Sequence, residues 1–355
     1  MNRALVDSDY SFLERLLHRL ALQYRPIAEM SVDLDQMTVR ADPSQVVSQR
    51  HVFVSGLARA GTTVLMRRFH ATGQYRSLTY RDMPFVLAPN LWRRLSRTSR
   101  REVERSERAH GDNLLVDVDS PESLDEVFWR IFAGDEYLER DRLKPHEPGG
   151  ELVEKYVRYV NAILAANDPR VDRYLSKNNN NILRLGAIHR AFPNALLLIP
   201  FRDPLQHAHS LLRQHLRFSQ LQARDEFVLS YMTWLGHHEF GLDHRPFQFE
   251  GAVPAPYTPD TLDYWLHLWC ETYSWLERSK PKPAVFVCYE DLCMRAEIWK
   301  RLAELAALPG PHEVGEPFRL SDRPMDARFD RDLGDRAAAI YGRLVAQAHT
   351  QLQVE

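Results

Sequence analysis

The stretch HVFVSGLARAGTTVLMRRFH, residues 51 to 70, constrains the fold more than any other part of the chain. It begins as an apolar strand, passes through Gly-x-x-x-x-Gly-Thr-Thr and runs on as a helix. A strand that turns through glycines into a helix presents several backbone N–H groups to one point, and the helix dipole favours an anion there. Gly56 and Gly61 permit the tight path, while Thr62 and Thr63 add hydroxyl donors. In a nucleoside triphosphatase the residue before the final Ser/Thr is a lysine that reaches the outer phosphates. Here Thr62 holds that place, and the cation sits inside the loop as Arg59.

The apolar runs HVFVSGL (51–57), NALLLIPF (194–201) and AVFVCY (284–289) read as buried parallel strands, each followed by a helical pattern. DRYLSK (172–177) is a weaker fourth, leading into a helix near Asn180 to Ala191. This alternation predicts an α/β fold of the P-loop type: three layers, a central parallel sheet between helices, with helical insertions. Ligands of such sheets gather at the carboxyl ends of the strands, where LARAGTT, KNNNN, FRDP and YEDL all fall. Helical patterns at 220–240 and 261–278 are separated by the loop RPFQFEGAVPAPYTP, and the Trp-rich face of the second is expected in the core.

Composition narrows the partners. With 46 Lys and Arg against 48 Asp and Glu, no global field selects nucleic acid or a membrane surface. The segment RRLSRTSRREVERSERAH (93–110) is a local exception, read either as a solvated stretch or as a basic lid for anionic ligands. Cys270, Cys288 and Cys293 are unsuitably spaced for a disulfide framework or a zinc site, which fits a reducing, cytoplasmic setting. The N-terminus carries the leucine spacing of an amphipathic helix rather than a signal peptide, and no run reaches the length of a membrane span.

A second element separates the loop from a triphosphate site. IPFRDPLQHAHSLLRQH places Arg202 at the end of a strand and Ser210 eight residues on, inside the next helix, with Pro204 in its first turn. An arginine and a serine so placed can hold another anionic group, away from the first loop. Two anion sites suggest a nucleotide with phosphates at both ends.

These residues resemble the sulfotransferases that use 3′-phosphoadenosine 5′-phosphosulfate (PAPS) and release the 3′,5′-bisphosphate (PAP). RAGTT, Arg59 to Thr63 with Ala60 and Gly61 between, is similar to that family's 5′-phosphosulfate loop, and Arg202 with Ser210 to its 3′-phosphate motif. Lys177 lies 25 residues before Arg202, as the family's central lysine does, and Tyr289 of YEDL matches the tyrosine that approaches the adenine. The resemblance implies residues 1–50 as a helical extension and 51–355 as the sulfotransferase domain, with a helical insertion at about 216–280. It is closest to the bacterial, carbohydrate-type or tyrosyl-protein branches, which implies a carbohydrate or glycolipid acceptor and leaves room for an anionic one.

By the same resemblance Arg59, Lys177 and the loop amides neutralise the bridging and leaving-group oxygens, and no metal is required. The cytosolic branch has a histidine two positions after its lysine, where this chain has Asn179, so the base must come from elsewhere. Relatives without that histidine use a carboxylate some twenty residues after the loop arginine, which implies Asp82; His110 is a second candidate. Asp82 has an equally good structural reading, paired with Arg81 or capping a helix. DVDSPESLDEVFW reads as a helix N-terminus near Asp119 to Pro121, with Glu122, Asp125 and Glu126 as acids near its start. His207, His209, His215, His237 and His238 lack the spacing of a metal site. A P-loop kinase or NTPase, and a PAP-binding scaffold that has lost its base, stay open as alternatives.

Overall fold

A computed structural model describes residues 12–96, 106–107, 115–116, 123–166, 171–310, 318–320 and 328–354. Strands β1 (Val52–Val54), β2 (Tyr75–Arg76), β3 (Ser106–Glu107), β4 (Leu115–Val116), β5 (Arg173–Lys177), β6 (Leu196–Phe201) and β7 (Val285–Cys288) form two sheets. The main sheet has the order β2-β5-β1-β6-β7 and every pairing in it is parallel, with Val54 opposite Lys177 on one side and Leu198 on the other. β3 and β4 make a separate antiparallel pair.

Strand residues of this sheet are buried on both faces, so its core strands read as continuous apolar runs instead of alternating ones. Phe53, Leu197, Ile199, Phe201 and Phe286 point into one core, and Val52, Val54, Leu198, Val285 and Val287 into the other. The helices Thr62–His70 and Ala296–Leu305 cover the second face with Leu65, Phe69, Trp299 and Leu302. Leu262–Ser279 covers the first, where Trp265 and Trp269 are 1% and 0% exposed, as expected of a core face. Each such side chain contributes about 1.5–3 kcal/mol when fully buried.

The order of the strands locates the site. After β1 the chain leaves toward β2 at one edge, and after β6 toward β7 at the other, so the adjacent ends of β1 and β6 form the crevice where ligands of open parallel sheets bind. His51 anchors the start of β1: its Nε2–H donates to the Val46 carbonyl at 2.8 Å, and its Nδ1 accepts from the Tyr174 N–H at 2.8 Å. Burial pulls the ring pKa down to about 4, which keeps it neutral for both bonds.

Two local expectations are corrected. The helix expected near Asn180 to Ala191 is a 3-10 turn, Asn179–Arg184, followed by the α-helix Leu185–Ala191. The break falls at Arg184, whose side chain turns inward to Glu126 at 2.8 Å. The helix after DVDSPESL begins at Glu126, and its first acids, Asp125 and Glu126, are 2% and 0% exposed rather than solvated. His110, Asp119 and Glu122 lie outside the described residues, as does most of the arginine-rich segment. Among the described residues no helix is long and apolar enough to cross a membrane.

Candidate active site

The loop after β1 is shaped by two residues in left-handed conformations, Arg59 at φ 71° and Gly61 at φ 86°. Gly61 is the N-cap of Thr62–His70 and supplies no side-chain cap, so the first N–H groups of that helix are left for another acceptor. A Cβ on Gly61 would overlap the Tyr289 ring, so the glycine is required by contact as well as by φ. Ala60 is fully buried and Thr62 is 3% exposed. Underneath, the buried His207 ring holds the Ala58 carbonyl at 2.7 Å. Burial first, then Arg202 and Arg59, push the His207 pKa down to about 3, so it is a neutral strut of the loop.

The two anion clusters meet. Arg59 Nε donates to Ser210 Oγ at 3.3 Å, and Arg202 Nη1 donates to the Arg59 carbonyl at 3.4 Å. Arg59 therefore reaches from the loop to the serine of the second motif, although the sequence placed the two groups apart. Arg202 is 9% exposed, its Nε is buried without a hydrogen-bond partner among the described residues, and Glu290 Oε1 stands 3.9 Å away. Its guanidinium lies 5.6 Å from the Tyr289 ring centre. Asp203 caps the helix Pro204–Arg224 through the Gln206 N–H, and Ser210, 7% exposed, lies two turns along it. Tyr289 opens the helix Tyr289–Met294 and donates to the Arg319 carbonyl at 3.0 Å.

Lys177 ends β5 beside β1 and is 9% exposed. The next three residues are tied down. Asn178 Nδ2 donates to Glu126 at 2.7 Å, Asn179 Nδ2 to Glu239 at 2.9 Å, and Asn180 Nδ2 to the Gly236 carbonyl at 3.1 Å. Glu239 is a site residue that the sequence reading passed over. Burial works to raise its carboxyl pKa, but the His237 ring, Lys177 and the Asn179 amide hold it well below the usual carboxylate range. It also lines a narrow, mainly apolar cleft with Leu57, Ala58, His244, Phe247 and Trp265, which places that cleft beside the loop. The polar run His237 to Glu239, set between Gly236 and Gly241 just after the helical pattern EFVLSYMTWL, was the available signal.

Asp82 adopts the geometry of its structural reading. It completes a capping box with Thr79 over the short helix Tyr80–Asp82, and its two oxygens accept from Arg76 Nη2 at 2.6 and 2.7 Å. The partner is Arg76 rather than Arg81, and Asp82 is 7% exposed. We expect Asp82→Asn to cost about 1.5–3 kcal/mol of stability by weakening charge-assisted bonds, while turnover per folded molecule stays within threefold. Denaturant unfolding beside sulfuryl-transfer rates would separate this from a base role, which predicts a fall of about 100-fold or more.

A strand, a glycine turn and a helix, joined to a second arginine-serine cluster at a sheet switch point, make an α/β fold of the P-loop type. The family model described as "Sulfotransferase family" matches residues 51–301, and the chain belongs to that family. Similar solved structures include sulfotransferase STF1 from Mycobacterium tuberculosis, at 15% identity and TM-score 0.48, with 99% of this chain and 88% of that chain covered. Sulfotransferase STF9 from Mycobacterium avium is similar at 16% identity and TM-score 0.47, with 96% and 84% covered. No curated protein matches the chain by sequence.

Proposed function

We propose that this sulfotransferase takes its sulfuryl group from PAPS and delivers it to a hydroxyl of a carbohydrate or glycolipid. The observation that carries the donor assignment is the junction of Arg59, Ser210 and Arg202, with Arg202 Nε buried and lacking a hydrogen-bond partner among the described residues. Glu290, 3.9 Å away, is too far to give that nitrogen a hydrogen bond, and a 3′-phosphate has the charge and acceptor geometry to do so. Gly61 to Thr63 would hold the 5′ end at the uncapped helix start, with Lys177 beside it. The donor supplies an activated S–O bond. The chain's part is positioning and charge neutralisation, as in phosphoryl transfer. The acceptor class rests on Arg59, which resembles the loop arginine of the carbohydrate-type branch.

Thermal-shift titration tests the donor. Adenosine 3′,5′-bisphosphate is expected to stabilise the chain more than ATP, without magnesium. Arg202→Ala should weaken the bisphosphate about 10- to 150-fold, the equivalent of one or two charge-assisted bonds, and leave ATP nearly unchanged. Equal losses for both ligands, or a magnesium-dependent preference for ATP, would support the kinase or NTPase reading instead. Bisphosphate binding with no transfer to any hydroxyl acceptor would indicate a scaffold.

A further inference from the structure

We propose that His237 is the base that accepts the acceptor's proton, and that Glu239 positions its ring; this rests on the sulfotransfer reading above. Asn179 stands two residues past Lys177, where the cytosolic relatives' pattern has a histidine, and its amide holds Glu239 at 2.9 Å. Glu239 Oε2 in turn faces His237 Nδ1 at 3.5 Å, with the two side chains 13% and 22% exposed. Such contacts are commonly long before substrate binds. The imidazole is thereby supplied in space by the helical insertion, through an asparagine and a glutamate, instead of by the strand itself.

The turn that carries the pair is preorganised. Gly236, at φ 78°, closes the helix Glu226–Leu235, and a Cβ there would come within 2.7 Å of Glu126 Cγ. Its carbonyl takes the Asn180 amide, and the His237 N–H donates to the Met232 carbonyl at 2.9 Å. A carboxylate on Nδ1 selects the tautomer with the proton there and leaves the Nε2 lone pair outward. Among the described residues Nε2 has no hydrogen-bond partner, so that nitrogen is available to an incoming hydroxyl.

In the step, the acceptor oxygen forms a bond to sulfur as the bond from sulfur to the phosphate oxygen breaks. The electron pair of the broken bond stays on the departing bisphosphate, and the hydroxyl proton passes to His237 Nε2. The imidazolium is then stabilised by Glu239. Glu239 faces the ring; the other charged groups of the segment are the His238–Asp243–Arg245 cluster, while Lys177 on β5 acts on Glu239 and the Glu126–Arg184 pair packs against Gly236.

The test uses the full chain with PAPS, water serving as the acceptor, alongside bisphosphate calorimetry and histidine ring ¹⁵N NMR. We expect wild type to show a rate limb rising with pH. His237→Gln should lose about 10²–10⁴-fold in turnover and the limb with it, at bisphosphate affinity within twofold. Glu239→Gln should lower the plateau and remove the Nδ1–H tautomer signal of His237, and Glu239→Asp should restore part of both. Bisphosphate binding with turnover and limb unchanged in His237→Gln overturns the dyad alone, as does an Nε2–H tautomer in wild type, which settles it even where water is too poor an acceptor to measure. Absence of bisphosphate binding to wild type overturns the donor reading and this inference with it.

Discussion

Arg184→Met is expected to destabilise the fold by about 3–5 kcal/mol, the cost of leaving a buried carboxylate without its counter-charge. Arg184 and Glu126 are 1% and 0% exposed and joined at 2.8 and 3.2 Å. Glu126 also accepts from the Tyr137 hydroxyl and from Asn178 at 2.7 Å, while the guanidinium lies 4.9 and 4.5 Å from the Trp129 and Tyr137 ring centres. Burial opposes ionisation of Glu126, but Arg184, Tyr137 and Asn178 outweigh it and hold the carboxyl below its usual range. Removal of the arginine leaves those neutral donors alone against the burial cost. The double variant Arg184→Met/Glu126→Gln should recover much of the loss, because no charge then remains unpaired. Denaturant unfolding of the three chains reads this directly. A loss below about 1 kcal/mol in the single variant would mean that water reaches Glu126, and that the network does not fix the β5 end.

That network bears on function through Asn178, which follows Lys177 and donates its backbone N–H to the Val54 carbonyl at 3.1 Å. Neighbouring Asp125 takes the Ser176 hydroxyl at 2.6 Å, and burial lifts its pKa to about 6. Ser176, Asn178 and Asn179 are thus held by buried or nearly buried acids from outside the strand. Lys177, between Ser176 and Asn178, acts through its charge on Glu239. In the proposed transfer, an ammonium on such a support would have one place for its charge to act.

The sheet was legible because parallel strands buried on both faces must be apolar throughout, and β1, β6 and β7 are. β2, Tyr75 to Arg76, was not, since two residues paired only with β5 are too short to carry any periodicity. The turn after β1 was legible for a different reason: the glycine spacing before a helical pattern demands a tight turn, and Gly61 makes it at φ 86°. The supporting acids were opaque. Asp125 and Glu126 looked like ordinary acids of a helix start, and their partners range from Tyr137, 11 residues from Glu126, to Arg184, 58 residues from it. Glu239 finds Asn179 across 60 residues, so only folding brings the two together. Asp82 was half legible, because the capping box with Thr79 is local, whereas the choice of Arg76 over the adjacent Arg81 depends on the edge strand.

Gly61→Ala tests the loop itself, and its expected result is loss of bisphosphate binding by about 100-fold or more with the fold retained. Two costs add. A left-handed backbone at φ 86° costs an alanine about 1–2 kcal/mol, and its Cβ would overlap the Tyr289 ring. Tyr289 is 7% exposed and tied to the Arg319 carbonyl, so it cannot swing aside without giving up that bond. The loop is the softer partner and should move, turning the first N–H groups of Thr62–His70 away from the point where they converge. A second substitution, Tyr289→Ala, separates the costs: it removes the overlap but leaves the φ penalty, so thermal stability should recover further than affinity. Calorimetry at a temperature well below the melt distinguishes this from simple unfolding. If affinity fell only as the folded fraction fell, the turn at Gly61 would be a structural bend with no anion to hold.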